Sequence, residues 1–473
     1  MLDIKGYEGA EKIFRFFEEI TKIPHGSGNT DKIAEYLVKF ARDRGLEYKR
    51  DESNNIIIRK KATPGYEGRP GVIFQGHTDM VAEKNLGNPI DMEKEGLTLV
   101  REGELLRADG TTLGADDGVA VAYALAVLDS DDIPHPDFEA VLTSDEEIGL
   151  LGAAALDASD IKNRLLINID SDMEGIFTVG CAGGMRSDIS LPVKRAGASE
   201  GVYRLTLAGF KGGHSGMEID KGRINPLKLI GEVLKDKDIK LASIGGGSAD
   251  NAIPREAEAL FRADEDEIQK IKNQASSLLS EVKKIEDGCY LELEDVGEAA
   301  SLMDKDSTNK VISLINEVPS GVIAMSLDTP GMVETSLNLG IMRCKEDSFN
   351  ISFSVRSAKG KEKRALGDRL KDIAAAHGAD YCERGDYPAW EYRKNSHLRE
   401  VMVKCYKEMY GKNPEIITIH AGLECGIFSE KMPEVDCVSI GPDSFDIHTP
   451  KERLSIPSFV RVWEYLKRVL REI

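Results

Sequence analysis

The spacing of apolar residues changes along the chain, and the expected elements change with it. Residues 8–22 and 30–44 carry apolar side chains at helical spacing; the second stretch opens on the capping sequence Asn29-Thr30-Asp31 and stops at Gly45. Strand-like runs follow, Asn55-Ile56-Ile57-Ile58-Arg59 and then Gly71 to Gln75. After a polar segment over 84–112, Thr112-Leu113-Gly114-Ala115-Asp116-Asp117-Gly118 opens a helix reaching about Leu128. That helix is almost wholly apolar and rich in alanine, so burial on all sides is expected. Phe138 to Ser144 reads as a strand ending in Asp145-Glu146-Glu147-Ile148-Gly149. A short helix separates it from Leu165 to Ile169, another strand, which ends in Asp170-Ser171-Asp172. Strands alternating with helices predict an α/β layered domain.

Near residue 186 the rhythm changes. Residues 202–208 alternate as a strand, 225–236 form a helix, 256–262 a strand, 264–285 a charged helix and 289–295 a strand. A helix over 304–317, paired strands over 333–344 and 349–356, a helix over 359–377 and a strand over 380–384 continue the pattern. Strand-helix-strand units with adjacent antiparallel pairs predict an α+β domain; they raise the idea of two related halves, although no sequence repeat is evident. From Tyr387-Pro388-Ala389-Trp390 the first rhythm returns. A helix over 396–410, a strand from Ile416 to Ile419, a helix opening at Ala421, a strand from Cys437 to Ile440 and a last helix over 457–472 complete the chain. The simplest account is one α/β domain, residues 1–186 and 386–473, interrupted by an inserted α+β domain, residues 187–385.

Length supports that division, because 473 residues exceed one comfortable core. The net charge of −20 argues against a nucleic-acid partner, which requires a basic patch. Seven cysteines occur without a C-x-x-C pair, and they read as free thiols of a reducing compartment. Met1-Leu2-Asp3-Ile4-Lys5-Gly6 does not read as a leader, and no apolar run is long enough to span a membrane. A cytoplasmic protein without a membrane partner is expected.

Candidate chemistry starts from Val72-Ile73-Phe74-Gln75-Gly76-His77-Thr78-Asp79. Residues two apart on a strand face the same side, so His77 and Asp79 face one cleft at a strand's carboxyl end. Open α/β sheets bind ligands there, and a histidine beside a carboxylate is the pattern of a metal ligand with its orienting partner. Alone, the pair is a weak signal. Other polar residues share its placement. Asp116 opens the buried helix, where either it or Asp117 also suits an N-cap. Glu146 and Glu147 are adjacent acids that repel each other in a cleft unless a cation or shared proton compensates, and mean nothing on a solvated turn. Asp170 and Asp172 end the next strand, and His448 stands in the Gly/Pro-rich loop Ser439 to Pro450. Taken together, histidines and carboxylates without cysteine suit a zinc, manganese or cobalt hydrolytic site. Two such ions need a bridging carboxylate and terminal ligands on each side.

The chain resembles the M20 family of zinc aminopeptidases and carboxypeptidases, and within it the aminoacyl-histidine dipeptidase branch. The resemblance rests on GHTDMV at 76–81, TTLGADDGVAVA at 111–122, TSDEEIGLLGA at 143–153, LINIDSD at 166–172 and GGHSGMEI at 212–219. NAIPREA at 251–257, VETSLNLG at 333–340, HAGLECGIF at 420–428 and IGPDSFDIHTP at 440–450 complete it. It implies that His77 and Asp170 bind one zinc, Glu147 and His448 a second, and that Asp116 bridges them. Cobalt or manganese are the implied substitutes. Glu146 matches the general base, which takes the proton of a water acidified between the two ions, and Asp79 the carboxylate that orients His77. Asp117 departs from close relatives, which often carry Asn there; other branches carry Asp.

The resemblance further implies that the inserted domain is a lid and dimerisation domain, that the protein is a homodimer, and that His214 stabilises the oxyanion. Asn251 and Arg356 match positions that hold the substrate's C-terminal carboxylate. For Arg356 the residue pattern leaves an exposed strand-end cation as the alternative. Gly422 and Glu424 lie where a helix begins: its N-terminus suits the substrate carboxylate, and Glu424 an α-amino group. The expected activity is hydrolysis of unblocked dipeptides of broad sequence, Xaa-His among them. The alternatives are a tripeptidase, an N-acyl-amino-acid amidohydrolase, or a metal- or peptide-binding protein without catalysis.

Overall fold

Four of the apolar runs lie side by side as parallel strands in the computed structural model of the chain. Their order is Phe138–Thr143, Val72–His77, Leu165–Asn168 and Asp436–Ser439. Every residue of the four is buried, as a parallel sheet covered on both faces requires. Ile56–Lys60 and Glu47–Arg50 extend the sheet antiparallel at one edge; Ile176–Cys181, also antiparallel, and Glu415–Ile419 extend it at the other. The structure describes residues 5–197, 199–299 and 301–473; the start read above for a leader lies, through Ile4, outside the described residues.

The chain divides into two compact units. The first comprises the described residues to Gly180 with Tyr392–Thr418 and Leu423–Ile473, and the second Cys181–Glu391 with Ile419–Gly422. In the first, helices flank the mixed sheet. Glu11–Thr21 buries Ile13, Phe14, Phe16, Phe17 and Ile20 along one stripe. Ala115–Leu128 is buried along its length except at Asp116, as its composition predicts. Its Tyr123 stacks on Phe459 at 4.9 Å and donates a hydrogen bond from its hydroxyl to the Phe459 carbonyl at 2.6 Å. These contacts clamp the helix to the C-terminal helix Ile456–Glu472.

The second unit is an antiparallel sheet. Its strands run Tyr290–Ala299, Ser199–Ala208, Ala257–Arg262, Lys240–Gly246, Val333–Cys344, Ser348–Ser357, Gly183–Pro192 and Asp380–Tyr387, with Gly321–Met325 beside Val333–Cys344. Burial alternates along Ala257–Arg262 because only one face is covered by helices. Lys240–Gly246 meets Val333–Cys344 through the single pair Gly246 and Met342, so the sheet is narrowest in the middle.

The polar segment over 84–112, to which the sequence reading assigns no element, contains the antiparallel pair Leu99–Glu102 and Leu105–Ala108. The pair is stabilised from outside. Leu105–Ala108 lies against Arg453–Ser455, which pairs in turn with Ser444–Phe445. The helix expected from Ala421 begins at Glu424 instead.

Candidate metal centre

The parallel strands explain why distant residues meet. Val72–His77 ends on His77; Phe138–Thr143 runs on to Glu146 and Glu147; Leu165–Asn168 to Asp170; and Asp436–Ser439 to the loop carrying His448. Asp116 enters from the first turn of Ala115–Leu128. Ligand sites form at such carboxyl ends because the connections leave the sheet there. Left-handed backbone that side chains rarely adopt occurs here at Asp145, φ 51°, Asp446, φ 52°, and His448, φ 62°.

His77 Nε2 is 3.0 Å from Asp116 Oδ1 and 3.9 Å from Asp170 Oδ1. His448 Nε2 is 3.1 Å from Asp116 Oδ2 and 2.9 Å from Glu147 Oε1. Asp116 therefore stands between the two imidazoles with one oxygen toward each. Ligand atoms about 2.0–2.2 Å from one tetrahedral ion stand about 3.3–3.6 Å apart, and the observed separations bracket that range. Among the described residues, His77, Asp116 and Asp170 form one group whose ligand atoms lie within 4.8 Å of one another. Asp116, Glu147 and His448 form a second, and His77, Glu146 and Glu147 a third. The residues fit metal ions.

Hydrogen bonding settles how the histidine is aimed. His77 Nδ1 lies 2.9 Å from the main-chain carbonyl of Asp79 and 3.5 Å from its carboxylate. A proton on Nδ1 leaves the Nε2 lone pair facing Asp116. The Asp79 carboxylate does a second job: its oxygens accept from the backbone N–H of Glu146 at 3.0 Å and Glu147 at 3.3 Å, and from Ser27 Oγ at 2.8 Å. One buried side chain thus sets both neighbouring acids.

Burial and neighbouring charges shift these groups in opposing directions. Burial alone would lower the pKa of His77, but Asp116, Asp79 and Asp170 hold it well above the usual imidazole range. His448 is pushed up to about 10 by its hydrogen bonds to Asp116 and Glu147. Burial raises Glu146 to about 8, with Glu424, Glu147 and Asp116 adding repulsion against the pull of His77. Burial and Asp116 also hold Asp170 well above the carboxylate range. Carboxylates forced together this way bind either protons or metal.

The floor of the centre is tight. A Cβ on Gly76 would lie 2.2 Å from Asp117 Oδ2 and 2.3 Å from the Ala120 side chain. Asp117, at that floor, accepts from the His77 backbone N–H at 3.2 Å. Gly76→Ala is expected to cost about 1–3 kcal/mol, the usual cost of overpacking, read as a lower thermal midpoint.

Glu424 lies inside the first unit. It is fully buried, and its Oε2 accepts from Gln75 Nε2 at 2.5 Å and Thr143 Oγ1 at 2.8 Å. Its Oε1 has no hydrogen-bond partner, and burial raises its pKa to about 7. Gly422 lies against Tyr387, whose ring a Cβ there would meet at 2.8 Å.

The second unit holds its own polar cluster. His214 pairs in register with Ala252, next to Asn251, and both line a cavity of about 570 Å³ with Ser248 and Arg255. The backbone N–H groups of Gly216 and Met217 donate to His214 Nδ1 at 3.2 and 3.1 Å, so the ring's proton is on Nε2. Burial and Arg356 lower its pKa. Arg356 is 9% exposed rather than a surface cation, and donates from Nη1 to Tyr387 at 3.0 Å while Nε has no partner.

Sequence reasoning passed over His420 and Glu452. His420 is buried 2.7 Å from Ser336 Oγ, and burial with Arg356 and His214 lowers it to about 4. It follows a strand directly, the same signal that marked His77. Glu452, in Lys451-Glu452-Arg453, carries no comparable signal, because a lone acid among cations reads as solvated.

The model of peptidase family M20/M25/M40 matches residues 73–472. The chain is 37% identical over 473 residues to the cytosol non-specific dipeptidase of Escherichia coli (strain K12), covering 98% of each. Its fold is similar to that of an aminoacylhistidine dipeptidase from Vibrio alginolyticus, with TM-score 0.94 and 36% identity, covering 100% of this chain and 98% of that one. An aminopeptidase from Bacillus cereus shares the fold at TM-score 0.59 and 17% identity, with 99% of each covered.

Proposed function

The chain belongs to peptidase family M20/M25/M40, and on that premise we propose that it is a di-zinc hydrolase of unblocked dipeptides with broad side-chain tolerance. The observation that carries this reading is the match to a dipeptidase over 98% of both chains, far beyond the metal-ligating stretches. His77 and Asp170 would hold one ion, Glu147 and His448 the other, and Asp116 both. Bound ions supply Lewis acidity to the peptide carbonyl and make water a stronger acid.

The chain's own residues do the rest. Glu146 takes the proton of the attacking water on its carboxylate and returns it to the leaving amine. Asp79 holds Glu146 and Glu147 by their backbones. His214 carries its proton on Nε2, the form that donates to a developing oxyanion. Arg356 and Asn251 are assigned to the C-terminal carboxylate; the unpartnered Arg356 Nε is a donor available for it. A homodimer formed through the second unit and a cytoplasmic location belong to the same proposal. The latter is supported by the seven free cysteines and by the cytosolic relative.

The test sets dipeptides, tripeptides and N-acetyl amino acids side by side. Unblocked dipeptides, Xaa-His included, are expected to exceed both other classes in kcat/KM by about tenfold or more, the discrimination that unpaired polar groups supply. Failure on every dipeptide overturns the proposal.

A further inference from the structure

We propose that Glu452 is a positioning residue for the metal centre, setting Asp116 between the two histidines by holding the backbone that carries it. The inference rests on the di-metal reading above and concerns a residue placed behind the ligands. Glu452 is 2% exposed. Its Oε2 accepts from the N–H groups of Leu113 at 2.7 Å and Gly114 at 3.0 Å, and its Oε1 from those of Ala115 at 2.8 Å and Asp116 at 3.4 Å. One carboxylate thus satisfies four successive donors of the turn that presents Asp116.

The same residue closes the loop that carries His448. The Glu452 N–H donates to the Thr449 carbonyl at 3.0 Å, and the loop's two ends are joined by the pairing of Ser444–Phe445 with Arg453–Ser455. Arg453–Ser455 also pairs with Leu105–Ala108, the strand that leads to the Asp116 turn. Two ligand-bearing segments are therefore referenced to one residue, the Asp116 turn through its side chain and the His448 loop through its backbone. Four N–H groups at a helix start favour an anion. A glutamine has the same shape but turns an NH₂ group toward two of the four donors. The turn must then shift, and both Asp116 oxygens shift with it.

The test uses the full-length protein as wild type, Glu452→Gln, Glu452→Asp and the control Asp436→Asn. Asp436 is likewise buried in the first unit, where it accepts from Ser396 Oγ at 2.6 Å and the Leu398 N–H at 2.9 Å to cap a helix. Each protein is stripped of metal, titrated with cobalt(II) by visible absorption, and assayed on a dipeptide. Glu452→Gln is expected to bind cobalt about 10–100-fold more weakly, the range for losing a group behind a ligand, with an altered absorption spectrum. Its kcat falls while KM stays within about twofold. Asp436→Asn is expected to lower thermal stability and leave cobalt affinity and spectrum unchanged.

Wild-type cobalt affinity and spectrum in Glu452→Gln overturn the proposal, as does an equal change in Asp436→Asn. If the glutamine variant does not fold, Glu452→Asp decides by the same two readouts, since its side chain is one methylene too short to reach all four donors. A wild-type protein that takes up no cobalt overturns the metal reading itself, and that result needs no variant.

Discussion

Replacing Glu146 with glutamine is expected to lower kcat by about 10²–10⁴-fold, the usual contribution of a positioned general base, with metal content and KM near their original values. The reason lies in what Glu146 touches. Its backbone N–H is fixed by Asp79 Oδ1 at 3.0 Å, so the amide side chain starts from the same place. Its pKa of about 8 without cations shows a carboxyl whose proton affinity is set by burial and by neighbouring acids. An amide cannot take a proton from water at any relevant pH. Kinetics on a dipeptide with parallel metal analysis check the prediction. Survival of activity would remove Glu146 from the base role, whereas simultaneous loss of metal would make it a ligand.

Stripping the protein of metal is expected to abolish hydrolysis, with recovery on adding zinc, cobalt or manganese, and to lower thermal stability. A ligand present at a thousandfold excess over its dissociation constant stabilises the folded state by about 4 kcal/mol. The geometry gives the sign. Asp116, Glu147 and Asp170 are packed around two imidazoles, and without cations protons must take over the compensation. His448 then sits near 10 and Asp170 well above its usual range. Metal release near neutral pH is therefore accompanied by proton uptake, because ligands bind metal only in their deprotonated forms. Calorimetric melting before and after dialysis against a chelator, with proton uptake followed in weakly buffered solution, measures both. Full activity in metal-free protein would refute the metal-dependent mechanism.

Much of the fold was legible because its elements are locally encoded. Buried parallel strands are uninterrupted apolar runs, and Val72–His77, Phe138–Thr143 and Leu165–Asn168 were visible for that reason. The pair Leu99–Glu102 and Leu105–Ala108 was not, because short, half-exposed strands carry charged residues and owe their stability to a partner more than 300 residues away. His77, Glu147 and Asp170 were legible as candidates because they end or closely follow those runs, Asp116 because it opens the buried helix. The burial of Arg356 and Glu424 was not legible. Whether a charge is exposed depends on what packs over it, and Gln75 and Thr143, which hold Glu424, lie far from it in the chain.

By itself, then, the sequence determined which residues end strands and helices, and so which side chains stand at the carboxyl edge of the first unit's sheet. Periodicity and chemical type carry that information within ten or so residues. Only the tertiary structure decided that Asp116 points one oxygen at His77 and the other at His448, and that Asp79 sets the backbone of two acids. It alone showed that Glu452 gathers four N–H groups from a turn 336 to 339 positions away. Those facts depend on strand order and register, which bring separate stretches within hydrogen-bond reach and which no local pattern of apolar residues records.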